Sequence, residues 1–305
     1  MNKNHKLLDR LQNFKGKYIT FFRYIFKLKS KKFQIPNNYK KIFEDRFNSN
    51  LNLDKWRYGQ PWGIFHSVYL NQYYDTKGSQ SFTKHNLLNL NTEYSPKTIT
   101  KKDLPKWRQS DRLPDEFTIP NTIGLITSKE SFKYGIFKAE IKLPKEKNLW
   151  PAFWLCGENS WPPEIDIMEA FTNDKYDDYR GRFFFKKRPN VRIEPNLHYG
   201  DVTKGTKQDY GSYRVFVNNA TERFIEYVCH WEKDFIKIYF DGVKVFQTTD
   251  QKVLKWFNGS KSYQYIVLSN GIREGSFDVN YSNMQVRNIS VYQLKNTHNN
   301  LYDGA

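Results

Sequence analysis

The stretch Ser160–Phe171, SWPPEIDIMEAF, sets three acids among apolar residues: Glu164, Asp166 and Glu169. Read as a helix, it scatters those carboxylates around the axis, and IDIMEAF offers no polar face. Read as a strand, it is nearly regular. Glu164 and Asp166 share one face, while Ile165 and Ile167 take the other. Strict alternation then drives Glu169 into the apolar layer, where an unpaired carboxylate is costly. One extra residue between Asp166 and Glu169, a β-bulge, returns Glu169 to the face of the other two acids. Glu164 and Glu169 then stand four effective positions apart, about 13 Å between Cα atoms. An ordinary half-exposed strand with its acids in water remains open for this hexapeptide alone.

The neighbouring sequence has the same texture. YGIFKAEIKLP, AFWLC, RFFFKK, RFIEYVCHW, FIKIYFDGVKVF, YQYIVLSN and MQVRNISVYQ are short β-branched and aromatic runs between Gly, Asn, Asp and Pro. Such spacing without long helices predicts an all-β chain, a sandwich of two antiparallel sheets or a β-jelly-roll. Asp241-Gly242 between two alternating runs predicts a hairpin. Helices are expected only in the N-terminal arm and around Gln251–Phe257. The charged segment His85–Asn121 reads as a long loop that walls a cleft.

Aromatic residues make up 17% of the 305-residue chain, enough for a core and for rings in a binding groove. The net charge of +17 is concentrated at one end, since residues 1–41 hold 12 Lys or Arg and a single acid, Asp9. The other 264 residues carry only +6, which argues against a nucleic-acid groove across the fold. Contact with an anionic surface is open to residues 1–41, and a flexible or loosely docked arm is the plainer expectation. The run Tyr18–Phe26 is interrupted by Arg23 and is too short to cross a membrane. No secretory cleavage site follows it. Cys156 and Cys229 read as buried thiols, with a bridge between them left open.

FKYGIFKAEIKLPKEKNLWPAFWL followed by WPPEIDIMEAF resembles glycoside hydrolase family 16, the β-jelly-roll endoglycanases. The resemblance continues through LHYGD, HWEKDFIKIYFDG, YIVLSNG and VRNISVYQ. It implies a catalytic domain over residues 36–297, a basic extension over 1–35 and a polar tail over 298–305. It also implies a retaining endo-β-glycanase with Glu164 as nucleophile, Glu169 as acid/base and Asp166 as the assisting carboxylate. In such a pair the carboxyl groups lie ~5–5.5 Å apart. Trp150, Trp154, Trp161, His198 and Trp231 are the expected substrate contacts along a concave cleft, although each Trp reads equally well as a core ring.

β-1,3-Glucan is the favoured substrate. The alternatives are hydrolysis or transglycosylation of an anionic or galactan-type polysaccharide, or a non-catalytic carbohydrate-binding jelly roll. Lys186, Lys187, Arg188 and Arg192 would greet an anionic glycan, or are surface charges. Three positions depart from the family pattern. Lys138 and Glu140 reverse its Glu–Arg pair, and Arg287 stands where many members carry an Asp linked to calcium, so no metal is expected there. No cofactor is expected, the chain reads as a monomer, and the substrate class suggests extracellular or virion-associated action.

Overall fold

The computed structural model describes residues 3–26, 28, 31–60, 63, 70–104, 106, 109, 111, 113–172, 191–211, 215, 217, 219–273 and 281–295. Among these, the short apolar runs become strands in two sheets. The larger has ten strands. Its main path runs β15 (Val243–Thr248), β14 (Phe235–Phe240), β13 (Ile225–Glu232), β8 (Gly135–Lys142), β17 (Tyr281–Leu294), β5 (Leu87–Thr100), β6 (Glu116–Ile123) and β3 (Gln72–Tyr74). β1 (Tyr39–Asp45) joins it on β17 and β4 (Ser81–Lys84) on β5. The second sheet has seven strands: β12 (Gln208–Asp209), β11 (Val191–Tyr199), β10 (Glu164–Thr172), β9 (Leu149–Gly157), β16 (Gln264–Ile272), β7 (Leu125–Phe132) and β2 (Trp56–Tyr58). Every pairing is antiparallel except β3 with β6, which is parallel.

The sheets face each other across one apolar layer. β10 contributes Ile165, Ile167, Met168 and Ala170, and β9 contributes Phe153 and Leu155. From the opposite sheet come Phe137 and Ala139 of β8 and Tyr227, Cys229 and Trp231 of β13. Each large side chain withdrawn from water here stabilises the sandwich by roughly 1.5–3 kcal/mol. Cys156 and Cys229 are free, buried thiols, and burial pushes both well above the usual range.

The Asp241-Gly242 turn joins β14 to β15 with φ of 48° and 72°, the left-handed pair that a two-residue hairpin needs. A short helix, α2 (Gln251–Leu254), falls in the expected segment, with Asp250 accepting from Lys252 N at 2.9 Å.

Two expectations are corrected. Much of the segment His85–Asn121 is not loop, because β5 and most of β6 lie within it and pair antiparallel from Thr92 with Ile123 to Thr100 with Glu116, and Ile99, Leu104 and Ile119 form a small core beside them. Pro96, Lys97 and Lys102 stand exposed in it, which disguised the alternation. The N-terminal arm is not loose either. It forms α1 (Lys3–Ile25), and the helix packs along β15, at the edge of the ten-stranded sheet. The segment RFFFKK and residues 296–305 lie outside the described residues.

Candidate active site

The bulge lies where the acids require it. On β9, Asp166 stands opposite Trp154 and Glu169 opposite Ala152. On β11, the same two acids face Asn196 and Glu194. Three steps along β10 therefore match two steps on each neighbour, so β10 carries one extra residue. Ile167 and Met168 both turn into the core, and Glu169 returns to the face of Glu164 and Asp166. From Glu164 to Glu169 the partner strands advance four residues, Cys156 to Ala152 and His198 to Glu194.

Each carboxylate has its own supports. Trp161 Nε1 donates to Glu164 Oε2 at 2.9 Å, and Trp150 Nε1 donates to Glu169 Oε1 at 3.0 Å. His198 Nε2 lies 3.4 Å from Glu164 Oε1 and 3.1 Å from Asp166 Oδ2. Its Nδ1 sits 2.5 Å from Asp209 Oδ1. An ionised carboxylate only accepts, so Nδ1 carries a proton and the ring is fixed with Nε2 toward the acids. Lys207 pairs with Asp209 and lies 5.7 Å from the Trp161 ring centre. Against the cost of partial burial, Lys207 and His198 hold Asp209 below the usual carboxylate range.

Asp166 and Glu169 are only 3% and 8% exposed. Burial, and then the charge of Asp166, push Glu164 up to about 8, opposed by His198, the Trp161 N–H and Lys207. Burial also raises Asp166, against a hydrogen bond shared with Glu164. Glu169 rises well above its usual range, through burial and the charges of Asp166 and Glu164. Three neighbouring carboxylates in one buried patch cannot all ionise near neutrality. Glu164 has three charge-stabilising neighbours, His198, Trp161 and Lys207, and Glu169 has two, Trp150 and His198, so the first proton belongs on Glu169 and the first negative charge on Glu164.

Four of the five expected contact residues gather at these acids. Trp150 and Trp154 lie on the acid-bearing face of β9, both part-exposed, with Trp154 Nε1 3.4 Å from Ser269 Oγ. Trp161 is 48% exposed beside Glu164, and His198 bridges the acids from β11. Trp231 is a correction. It belongs to the opposite sheet and is 0% exposed, packed near Phe137, Tyr134 and Phe257 in the core. Both faces of β13 are covered, so its alternation did not reveal which one met solvent.

Asp209 and Lys207 were missed. β12 is only two residues long, too short for a periodic signal, and its place follows from pairing His198 with Asp209. Lys186, Lys187 and Arg188 lie outside the described residues. Arg192 stacks 4.2 Å from the Phe171 ring centre and lies 3.6 Å from Glu194, an internal role on β11. The Lys138 and Glu140 pair sits on the other sheet, where Lys138 meets Glu226 at 2.6 Å and Glu140 meets Arg287 at 3.2 Å. Among the described residues, Glu164, Asp166 and His198 also bring three metal-ligand atoms within 4.8 Å of one another.

A two-sheet β-sandwich with three carboxylates on one bulged strand, flanked by indole N–H donors, defines the class. The model of the glycosyl hydrolases family 16 matches residues 70–283, and the chain belongs to this family. A glucan endo-1,3-beta-glucosidase of Cryptopygus antarcticus is 28% identical over 207 residues, 65% of each chain. The endo-1,3-1,4-beta-glycanase EglC of Rhizobium meliloti is 41% identical over 151 residues, 48% of this chain and 28% of that protein. The chain thus spans just under two thirds of the first relative and about a quarter of the second. SCLam, a non-specific endo-beta-1,3(4)-glucanase, superposes with a TM-score of 0.64 at 22% identity, over 87% of this chain and 95% of that one. A structure described with the endo-acting O-glycanases of the human gut microbiota gives 0.67 at 22%, over 87% and 94%. At that identity the likeness carries the fold.

Proposed function

We propose that the chain is a retaining endo-β-glycanase that cleaves a β-1,3-glucan-type polysaccharide by double displacement. The observation that carries this reading is the bulge in β10, which sets Glu164 and Glu169 on one face with Asp166 between them. Ionised Glu164 attacks the anomeric carbon as the glycosidic C–O bond breaks, and Glu169 gives its proton to the departing oxygen. A glycosyl ester on Glu164 results. Glu169, now a carboxylate, takes a proton from water as that oxygen attacks the same carbon and frees Glu164.

Asp166 shares a proton with Glu164 and buffers the change in charge as the ester forms and breaks. His198, held by Asp209, keeps a polar ring nitrogen against the pair. Trp161, exposed and tied to Glu164, supplies an apolar face for a sugar ring beside the cleaved bond. The names of the two relatives support the β-1,3 choice. The proposed catalytic unit is residues 36–297.

Digestion of a panel of β-glucans and galactans, followed by reducing-end release and NMR of the first product, tests the reading. Retained β-configuration on β-1,3-glucan, abolished in Glu164→Gln, is expected. Inverted product, or equal turnover by that variant, would sink it.

A further inference from the structure

The helix α1 docks with its polar face inward. Asp9, Asn13, Gly16 and Thr20 recur at helical spacing and form the buried stripe. Asn13 exchanges two hydrogen bonds with the Gln247 backbone, Nδ2 to O at 3.0 Å and N to Oδ1 at 2.6 Å, so its amide completes the open edge of β15. Asp9 accepts from Thr249 N at 2.6 Å and from Gln247 Nε2 at 2.9 Å. At Gly16 an added Cβ would collide with the Lys244 carbonyl, so only glycine permits this approach.

The opposite face is apolar and faces solvent. Leu7, Leu11, Phe14, Tyr18 and Phe22 are each between 46 and 59% exposed. A helix held only for its own stability would turn that face inward. Here the sheet holds it outward. Arg10 and Lys17 lie along one margin of the apolar face, and Lys15 and Arg23 toward the other. The helix's one acid, Asp9, is buried on the far side and cannot repel an anion. No helix among the described residues is long and apolar enough to cross a membrane.

We propose that α1 is an interfacial anchor that lays this domain on an anionic lipid surface. The rings and leucines enter the headgroup boundary, and the basic margins meet lipid phosphates and carboxylates. A second copy of the chain fits less well, because stacking two such faces brings like basic margins together.

Co-sedimentation of the full chain with vesicles of phosphatidylglycerol and phosphatidylcholine, against phosphatidylcholine alone, tests it. Binding is expected to the mixed vesicles, weakened by added salt. The triple substitution Leu11→Glu, Phe14→Glu, Phe22→Glu leaves the docked stripe intact and is expected to lower partitioning at least about tenfold, with an unchanged melting temperature. Reversing Arg10, Lys15 and Lys17 to Glu should remove the preference for anionic lipid. Equal sedimentation of wild type and triple variant would overturn the proposal. So would a concentration-dependent dimer, or retention on DNA, that the triple variant loses when no vesicle binding occurs.

Discussion

Replacing Glu164 by Gln removes a charge that the fold pays to hold. The amide keeps the size of the side chain and an oxygen to accept from Trp161. Burial and Asp166 lift Glu164 from 4.5 to about 8. A raised carboxylate contributes stability that is complete below its unfolded value and is lost as pH climbs through the folded one. The window is therefore from about 4.5 to about 8. The ceiling of that loss is about 5 kcal/mol at alkaline pH. Because Asp166 and Glu169 titrate in the same patch and share the relief, a net gain of about 2 kcal/mol is the working expectation for Glu164→Gln at pH ~9. For a domain of this size that is roughly 5 °C in melting temperature. At pH ~5 both proteins hold a neutral side chain there and should melt together. Thermal melts across that range decide the matter. A difference that does not change with pH, or a variant less stable than wild type at alkaline pH, would show that Glu164 is not the penalised charge.

The same protons shape turnover. The acid limb of kcat/KM should lie well above the usual carboxylate range, since Glu164 must ionise, and Glu169→Gln should erase the alkaline limb. That variant should lose about 10²–10⁴-fold on polysaccharide but far less on aryl glycosides, whose leaving groups need little protonation; equal losses on both would refute the acid role. Trp161→Ala should lower kcat/KM about tenfold at constant melting temperature, while Trp231→Ala should cost about 3–5 kcal/mol of stability and leave KM unchanged. Asp9→Ala strips the acceptors of Thr249 N and Gln247, so trypsin should cut α1 faster at Arg10, Lys15 and Lys17; an unchanged digestion rate would mean the helix docks without them.

The carboxylate strand was legible because its irregularity was chemical. An acid at the wrong parity has to be explained, and Glu169 could escape the core only through one extra residue. Trp150 and Trp154 followed from even spacing on one strand. Trp231 did not, since parity within β13 says nothing about which sheet owns the strand or which face is covered. The hairpin of β5 and β6 was hidden by Pro96, Pro120 and a run of lysines on exposed positions. Asp9 was visible as a lone acid in a basic arm. Its meaning was lost because amphipathic helices are read as burying the apolar side, and here the stripe Asp9, Asn13, Gly16, Thr20 is what the sheet edge holds. The contact of Asp209 with His198 depends on a two-residue strand ten residues downstream, and no local pattern encodes it.

A 2-fluoro-β-glucan oligosaccharide carrying a dinitrophenyl leaving group, which departs without protonation, followed by peptide mapping, asks directly whether one extended segment supplies both the nucleophile and its proton donor. Mass added on the peptide at Glu164, accumulating further when Glu169 is replaced by Ala, is the predicted outcome. Label on Glu169 or Asp166 instead, or none despite active hydrolysis, would mean that the bulged strand does not perform the displacement assigned to it.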